Sequence, residues 1–92
     1  MAGGKPPRKV IEEAGFREGR EAITQDARRW DDFWEAVEWA LAQDPAAFDR
    51  VPSHDLWVIV SEPSRTGMPR VRVFYAFDDE CIYLRWVEPT DF

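Results

Sequence analysis

Residues 70–87 read RVRVFYAFDDECIYLRWV, two runs rich in β-branched and aromatic residues joined by three acids. Each run has the length and composition of a strand. Asp78-Asp79-Glu80 is short enough to force the two strands into an antiparallel hairpin. On strand alternation Val71, Val73, Tyr75 and Phe77 share one face, while Arg70, Arg72, Phe74 and Ala76 share the other. In the second run Ile82, Leu84 and Trp86 point one way, and Cys81, Tyr83, Arg85 and Val87 the other. Pro89 is expected to stop pairing.

Upstream of this hairpin, LWVIVS (Leu56 to Ser61) is nearly all apolar and reads as a strand at the sheet centre or covered on both faces. Glu62 to Pro69, with two prolines and a glycine, reads as a flexible turn. Further back, Trp30, Phe33, Trp34, Val37 and Leu41 fall at i, i+3, i+4, i+7 and i+11. That spacing predicts an amphipathic helix over Thr24 to Gln43, with Thr24 or Asp26 as N-cap. Trp39 falls off the stripe, so it is expected on the surface. Pro45 ends the helix, and Asp44-Pro45 reads as N-cap and first position of one more turn. Val51 to Asp55 is a connector. Val10 to Glu21 reads as a short or frayed helix weakened by Gly15 and Gly19. Met1 to Lys9 reads as a disordered Gly/Pro/Lys tail, either a basic arm or a solubilising one. The expected fold is α+β: N-terminal helices packed on a three-stranded antiparallel meander, in a single domain over residues 10–92.

The totals narrow the function. Ninety-two residues make one domain, and 45% hydrophobic residues with five Trp and six Phe give it the rings to build a core. A net charge of −6 argues against a broad embrace of nucleic acid, which is driven by Lys and Arg. One cysteine (Cys81) excludes an internal disulfide, and one histidine (His54) excludes a His-rich metal site. No apolar run approaches ~18 residues, and the N-terminus lacks an apolar stretch. The chain therefore reads as cytoplasmic with no membrane contact. No motif for a cofactor, a phosphate loop, a Ser-His-Asp triad or a zinc site is present. Asp78, Asp79 and Glu80 resemble a cation site in composition only. Cys81 beside Asp79 and Glu80 is in the wrong electrostatic setting for a nucleophilic thiolate.

From Thr24 to Glu88 the order and punctuation resemble the RelE/ParE superfamily of toxin-antitoxin toxins. The resemblance lies in the amphipathic helix ending at Asp44-Pro45, the apolar strand Leu56–Val60, and Arg72-Val73-Phe74-Tyr75, which resembles the family's R-x-x-Y strand. The acidic turn and the apolar strand Ile82–Val87 complete it. The resemblance implies a RelE/ParE-like fold, an antitoxin protein as partner, and RNA or the ribosome as target. It assigns Arg72 to the scissile phosphate, where a fixed guanidinium fork stabilises developing charge. Arg70 and Arg85 are candidate binding residues beside it, and His54 is the one side chain that titrates near neutrality by default. Tyr75 faces away from Arg72, so core packing with a hydrogen-bonded hydroxyl is its expected role.

The family's alternating lysines fall here at Val58 and Val60. Its basic C-terminal tail has no counterpart before Phe92, and its usual first strand has none in Val10–Glu21. Much of the ribonuclease site is thus expected to be missing. The other reading is a noncatalytic protein-protein interaction module on the same fold, including a homodimer, built on whichever of Trp39, Trp57 and Trp86 are exposed. For the arginines, the plain alternative to phosphate binding is cross-strand pairing with Asp or Glu.

Overall fold

A computed structural model of the chain describes residues 8–61 and 70–90. The element order is β1 (Lys9–Glu12), α1 (Ala14–Ile23), α2 (Ala27–Gln43), a 3₁₀ turn (Pro45–Ala47), β2 (Asp49–Arg50), β3 (Trp57–Val60), β4 (Val71–Phe77) and β5 (Cys81–Pro89). The class is α+β. The sheet is not the three-stranded antiparallel meander expected: it has five strands in the order β1-β5-β4-β3-β2. It is mixed, because β1 runs parallel to β5 while the other pairs are antiparallel.

The two added strands explain the discrepancy. Lys9–Glu12, divided above between a disordered tail and a weak helix, is a strand held by pairing from Lys9↔Cys81 to Glu12↔Leu84. Four residues carry too little local signal to declare themselves, and their partner lies at the far end of the chain. Arg8 also contributes, donating from Nε to the Asp78 carbonyl (2.7 Å) and lying over the Phe77 ring. The rest of the expected tail, residues 1–7, lies outside the described residues, as does the whole of the expected turn over 62–69. β2 is a two-residue bridge, Asp49↔Val58 and Arg50↔Trp57, in a stretch read as turn and connector.

The helices form one layer. In α2 the predicted stripe is buried: Trp30, Phe33, Trp34 and Leu41 are in the core and Val37 packs against it. Trp30 and Trp34 stack with centroids 5.5 Å apart, and Phe16 of α1 meets both, at 6.1 and 5.1 Å. Aromatic pairs at these separations add to what area burial alone supplies. Asp26 is the N-cap, accepting from the Arg29 N–H. Asp44 caps the 3₁₀ turn through the Ala46 N–H, with Pro45 at its start. Beneath the helices lie Ile59, Val71, Val73, Tyr75, Ile82, Leu84 and Val87. The hydroxyl of Tyr75 donates to the Pro45 carbonyl, so this tyrosine joins sheet to helix end.

α1 is seated where β1 stops. The Glu13 N–H donates to the Leu84 carbonyl, and the helix then runs against the backbone of β5. Gly15 and Gly19, read above as weak points, permit this approach. A Cβ at Gly15 would lie 2.9 Å from the Arg85 carbonyl oxygen, and one at Gly19 would overlap the Val87 carbonyl. The lost helix propensity is therefore exchanged for close packing.

Two expectations about β5 are corrected. Pairing continues through Pro89, opposite Val71, and the Thr90 N–H donates to the Arg70 carbonyl. Since alternate residues face β4, the Pro89 nitrogen points away from the ladder and costs no bond. The register also shifts between Phe74 and Tyr75: Tyr75 pairs with Leu84 but Phe74 with Trp86. This bulge inserts Arg85 and reverses the alternation beyond it. Val87, not Trp86, joins Ile82 and Leu84 in the core, and Trp86 is 44% exposed.

Glu12 of β1 faces the helix layer, where Arg20 pairs with it (2.9 Å). Glu38 of α2 feels the same carboxylate. Burial first, and the charge of Glu12 second, raise the Glu38 carboxyl above its ordinary range. A carboxyl raised in the folded state is destabilising once ionised. That penalty is absent below the unfolded value near pH ~4.3 and reaches its full size as pH rises through the folded value. Glu38→Gln should therefore raise Tm by about 1–3 °C at pH 7 and leave it unchanged at pH ~3.5, by thermal melts at both values.

Candidate docking face

The helices cover one face of the sheet; the other is open among the described residues. Register lays its side chains in rows. Ile11, Tyr83 and Ala76 form one row; Trp86, Phe74 and Val58 form the next; Glu88, Arg72 and Val60 form the third. Val60, Trp86 and Ile11 are 47%, 44% and 41% exposed, and the other apolar members are half-buried. Strand pairing and the Phe74/Tyr75 bulge position every one of them. The contiguity of this apolar patch is its informative property, since single exposed apolar residues are ordinary.

Arg72 lies on this face as expected, but it is not free. Its Nη2 donates to Glu88 Oε2 at 3.0 Å, directly across from it on β5, and its Nε is buried without a partner among the described residues. Arg85, at the bulge, donates from Nη1 to both oxygens of Glu13 at 3.0 and 2.8 Å. Trp86 stands between these two pairs. All four side chains are substantially exposed, so each pair contributes well under about 1 kcal/mol to stability. Their effect is on charge: the two arginines that a polyanion would need are already neutralised by their own chain.

The remaining candidates do not join them. Arg70 is half-buried just before β4, and its carbonyl accepts from the Thr90 N–H. His54 is exposed in the β2–β3 connection, next to Ser53, which sits in the left-handed region at φ 66°. Val60 is the residue opposite Arg72. Trp57 lies three residues before it, about 10 Å along the strand, and His54 lies beyond that end. The His54 ring makes no hydrogen bond to Asp55 among the described residues; the backbone N–H donates to Val51.

Tyr75 is fully buried on the opposite face. Tyr83 is on the open face, but it donates to Asp78 Oδ2 at 3.1 Å, and that bond to a carboxylate pushes its titration up to about 12. It stays protonated at neutral pH. Asp78 is held below the ordinary carboxylate range, because the backbone N–H groups of Glu80 and Cys81 both donate to it. It closes the turn and organises no cation site. Among the described residues no group of three or more His, Cys, Asp or Glu is arranged to hold a metal ion. A half-open cleft of about 480 Å³ lies between the end of α1 and the start of α2, lined by Arg20, Thr24, Gln25, Trp30 and Asp31. None of the candidate residues reaches it. No helix among the described residues is long and apolar enough to cross a membrane.

Residue-by-residue reading missed Ile11, Val58, Val60 and Phe74 as a surface. It takes Val58 and Val60 only as the positions of absent lysines, and their strand as lying at the sheet centre or covered on both faces. The alternation of Arg72 with Phe74 was the available signal that one face was mixed. Compared with known proteins, the chain matches no family model and no curated protein.

Proposed function

We propose that this chain is a RelE/ParE-like protein that serves as a protein-docking module through the open face of its sheet, without cutting RNA. The observation that carries this is the set of apolar rows on a face left open among the described residues, whose two nearest arginines are each held by a glutamate. A first strand in the sheet, the element missing from the resemblance as read in the sequence, supports the family reading. So does an R-x-x-Y strand at the sheet centre with its tyrosine turned into the core.

Chemistry argues against ribonuclease action. Phosphate transfer to or from RNA needs an acid, a base and stabilisation of the phosphate. The neighbour of Arg72 is the Glu88 carboxylate, which repels the anion that the arginine would have to hold. The Tyr83 hydroxyl is engaged by the Asp78 carboxylate, and His54 is off the end of the sheet. An antitoxin-like protein is one partner the resemblance implies for such a face.

The test is growth after tight induction in bacteria, wild type beside Arg72→Ala. Both cultures should grow alike at high soluble expression. Arrest by wild type that Arg72→Ala relieves would overturn the docking reading in favour of an active toxin directed at RNA or the ribosome.

A further inference from the structure

We infer that the partner that docks on the open sheet face is a second copy of this chain, related by a two-fold axis running along the strands between β4 and β5. The inference rests on the docking reading above and adds the identity of the occupant.

Charge selects the surface. A chain with net charge −6 cannot approach its own copy through any acidic face without repulsion. The outward side of α2 is net acidic, with Asp31, Asp32 and Glu35 exposed against Arg28 and Arg29. On the open sheet face, by contrast, Arg72 carries Glu88 beside it and Arg85 carries Glu13. Two copies meeting there bring together compensated charge.

Register supplies the self-complementarity. Arg72 and Glu88 are directly opposite one another on β4 and β5, and so are Phe74 and Trp86 in the adjacent row. A two-fold axis between these strands exchanges β4 for β5 in the facing sheet. It sets Arg72 over Glu88 of the second copy and Phe74 over Trp86 of the second copy, each contact made twice. Closed two-fold dimers require this kind of patch, in which residue i meets j and j meets i. Sheets stacked face to face lie about 10 Å apart, a gap that a Phe–Trp layer fills. Arg72 can then exchange its own-chain Glu88 for the one across the interface, while Arg85 keeps Glu13 of its own chain. Exposed Trp86 at the centre is the residue type that carries binding energy in such contacts.

The experiment is sedimentation of the full chain over a concentration series, with a charge-swap pair. Wild type should be dimeric at roughly 10–100 μM. Trp86→Lys and, independently, Val60→Lys should weaken the dimer by about 30-fold or more while keeping the wild-type circular dichroism spectrum. Val60 is included because Trp86 also lies near Gly15 of α1. Arg72→Glu and Glu88→Arg should each weaken self-association, and an equimolar mixture of the two should form a heterodimer tighter than either parent. A monomeric wild type across the series overturns the second copy as occupant. So does a dimer that both lysine variants leave intact, or one broken instead by Trp39→Lys on α2. Growth arrest relieved by Arg72→Ala is the separate result that overturns the docking reading itself.

Discussion

Gly19→Ala should unfold this protein more readily, the reverse of what an alanine does at an ordinary helical glycine. Helix propensity favours the alanine by about 1 kcal/mol. Against that, the new methyl group would overlap the Val87 carbonyl oxygen and crowd the Val87 side chain. Neither atom is the loose end of a flexible side chain: one belongs to β5 backbone, the other to a fully packed core residue. Overpacking of this kind costs about 1–3 kcal/mol, and more when backbone must move. The expected net loss is about 2 kcal/mol, a fall in Tm of roughly 8–16 °C for a chain of this length. Chemical denaturation read by tryptophan fluorescence measures it directly, because Trp30 and Trp34 report the α1–α2 core. A higher Tm than wild type would show that α1 does not sit against β5. Gly15→Ala should lose less, since its nearest contacts are at 2.9 and 3.1 Å and one of them is the edge of the Trp86 ring.

Tyr75→Phe should lose about 1–3 kcal/mol although it removes a single oxygen. Tyr75 has no exposed surface, and its hydroxyl is the hydrogen-bond donor to the Pro45 carbonyl. Phenylalanine leaves that carbonyl without this donor beneath the end of α2. The pH dependence separates this bond from simple packing. Burial, followed by the charges of Asp44 and Asp49, raises the Tyr75 phenol above its ordinary value near pH ~10. A group raised in the folded state contributes stability that is complete below the unfolded value and is lost as pH climbs above it. Wild type should therefore lose stability between neutral pH and pH ~11 more steeply than Tyr75→Phe does, so the two melting curves converge. Parallel losses in the two proteins would mean that the phenol is not the titrating group.

How much of this was legible in the sequence depended on how local the determining contact is. The α2 stripe repeats within eleven residues, so its buried face could be read before any tertiary contact was known. The inward turn of Tyr75 and the Asp44-Pro45 stop were equally local, one set by alternation and the other by proline sterics. β1 was not legible, because four residues of strand exist only through β5. The bulge at Arg85 was not legible either. Consecutive Trp86 and Val87 fit either register, and only the burial of Val87 against Gly19 decides between them. The glycines were noticed but given the wrong sign, since propensity is local and close approach is not. For the site, Arg72 and its face were anticipated, and so was the bland outcome of cross-strand pairing with a glutamate. The apolar rows around it went unseen until the strands were set side by side.

The parallel pairing of β1 with β5 also fixes when the protein can be finished. Lys9 and Cys81 are neighbours in space and about 70 positions apart in the chain. At ordinary synthesis rates of about 5–20 residues per second, the first strand waits roughly 4–14 s before its partner exists. During that interval Phe16, Trp30 and Trp34 have no sheet to cover, and α1 has no β5 backbone to seat against. Contacts of such long span close slowly even in a complete chain. The earliest strand to be made cannot take its place until the last one exists.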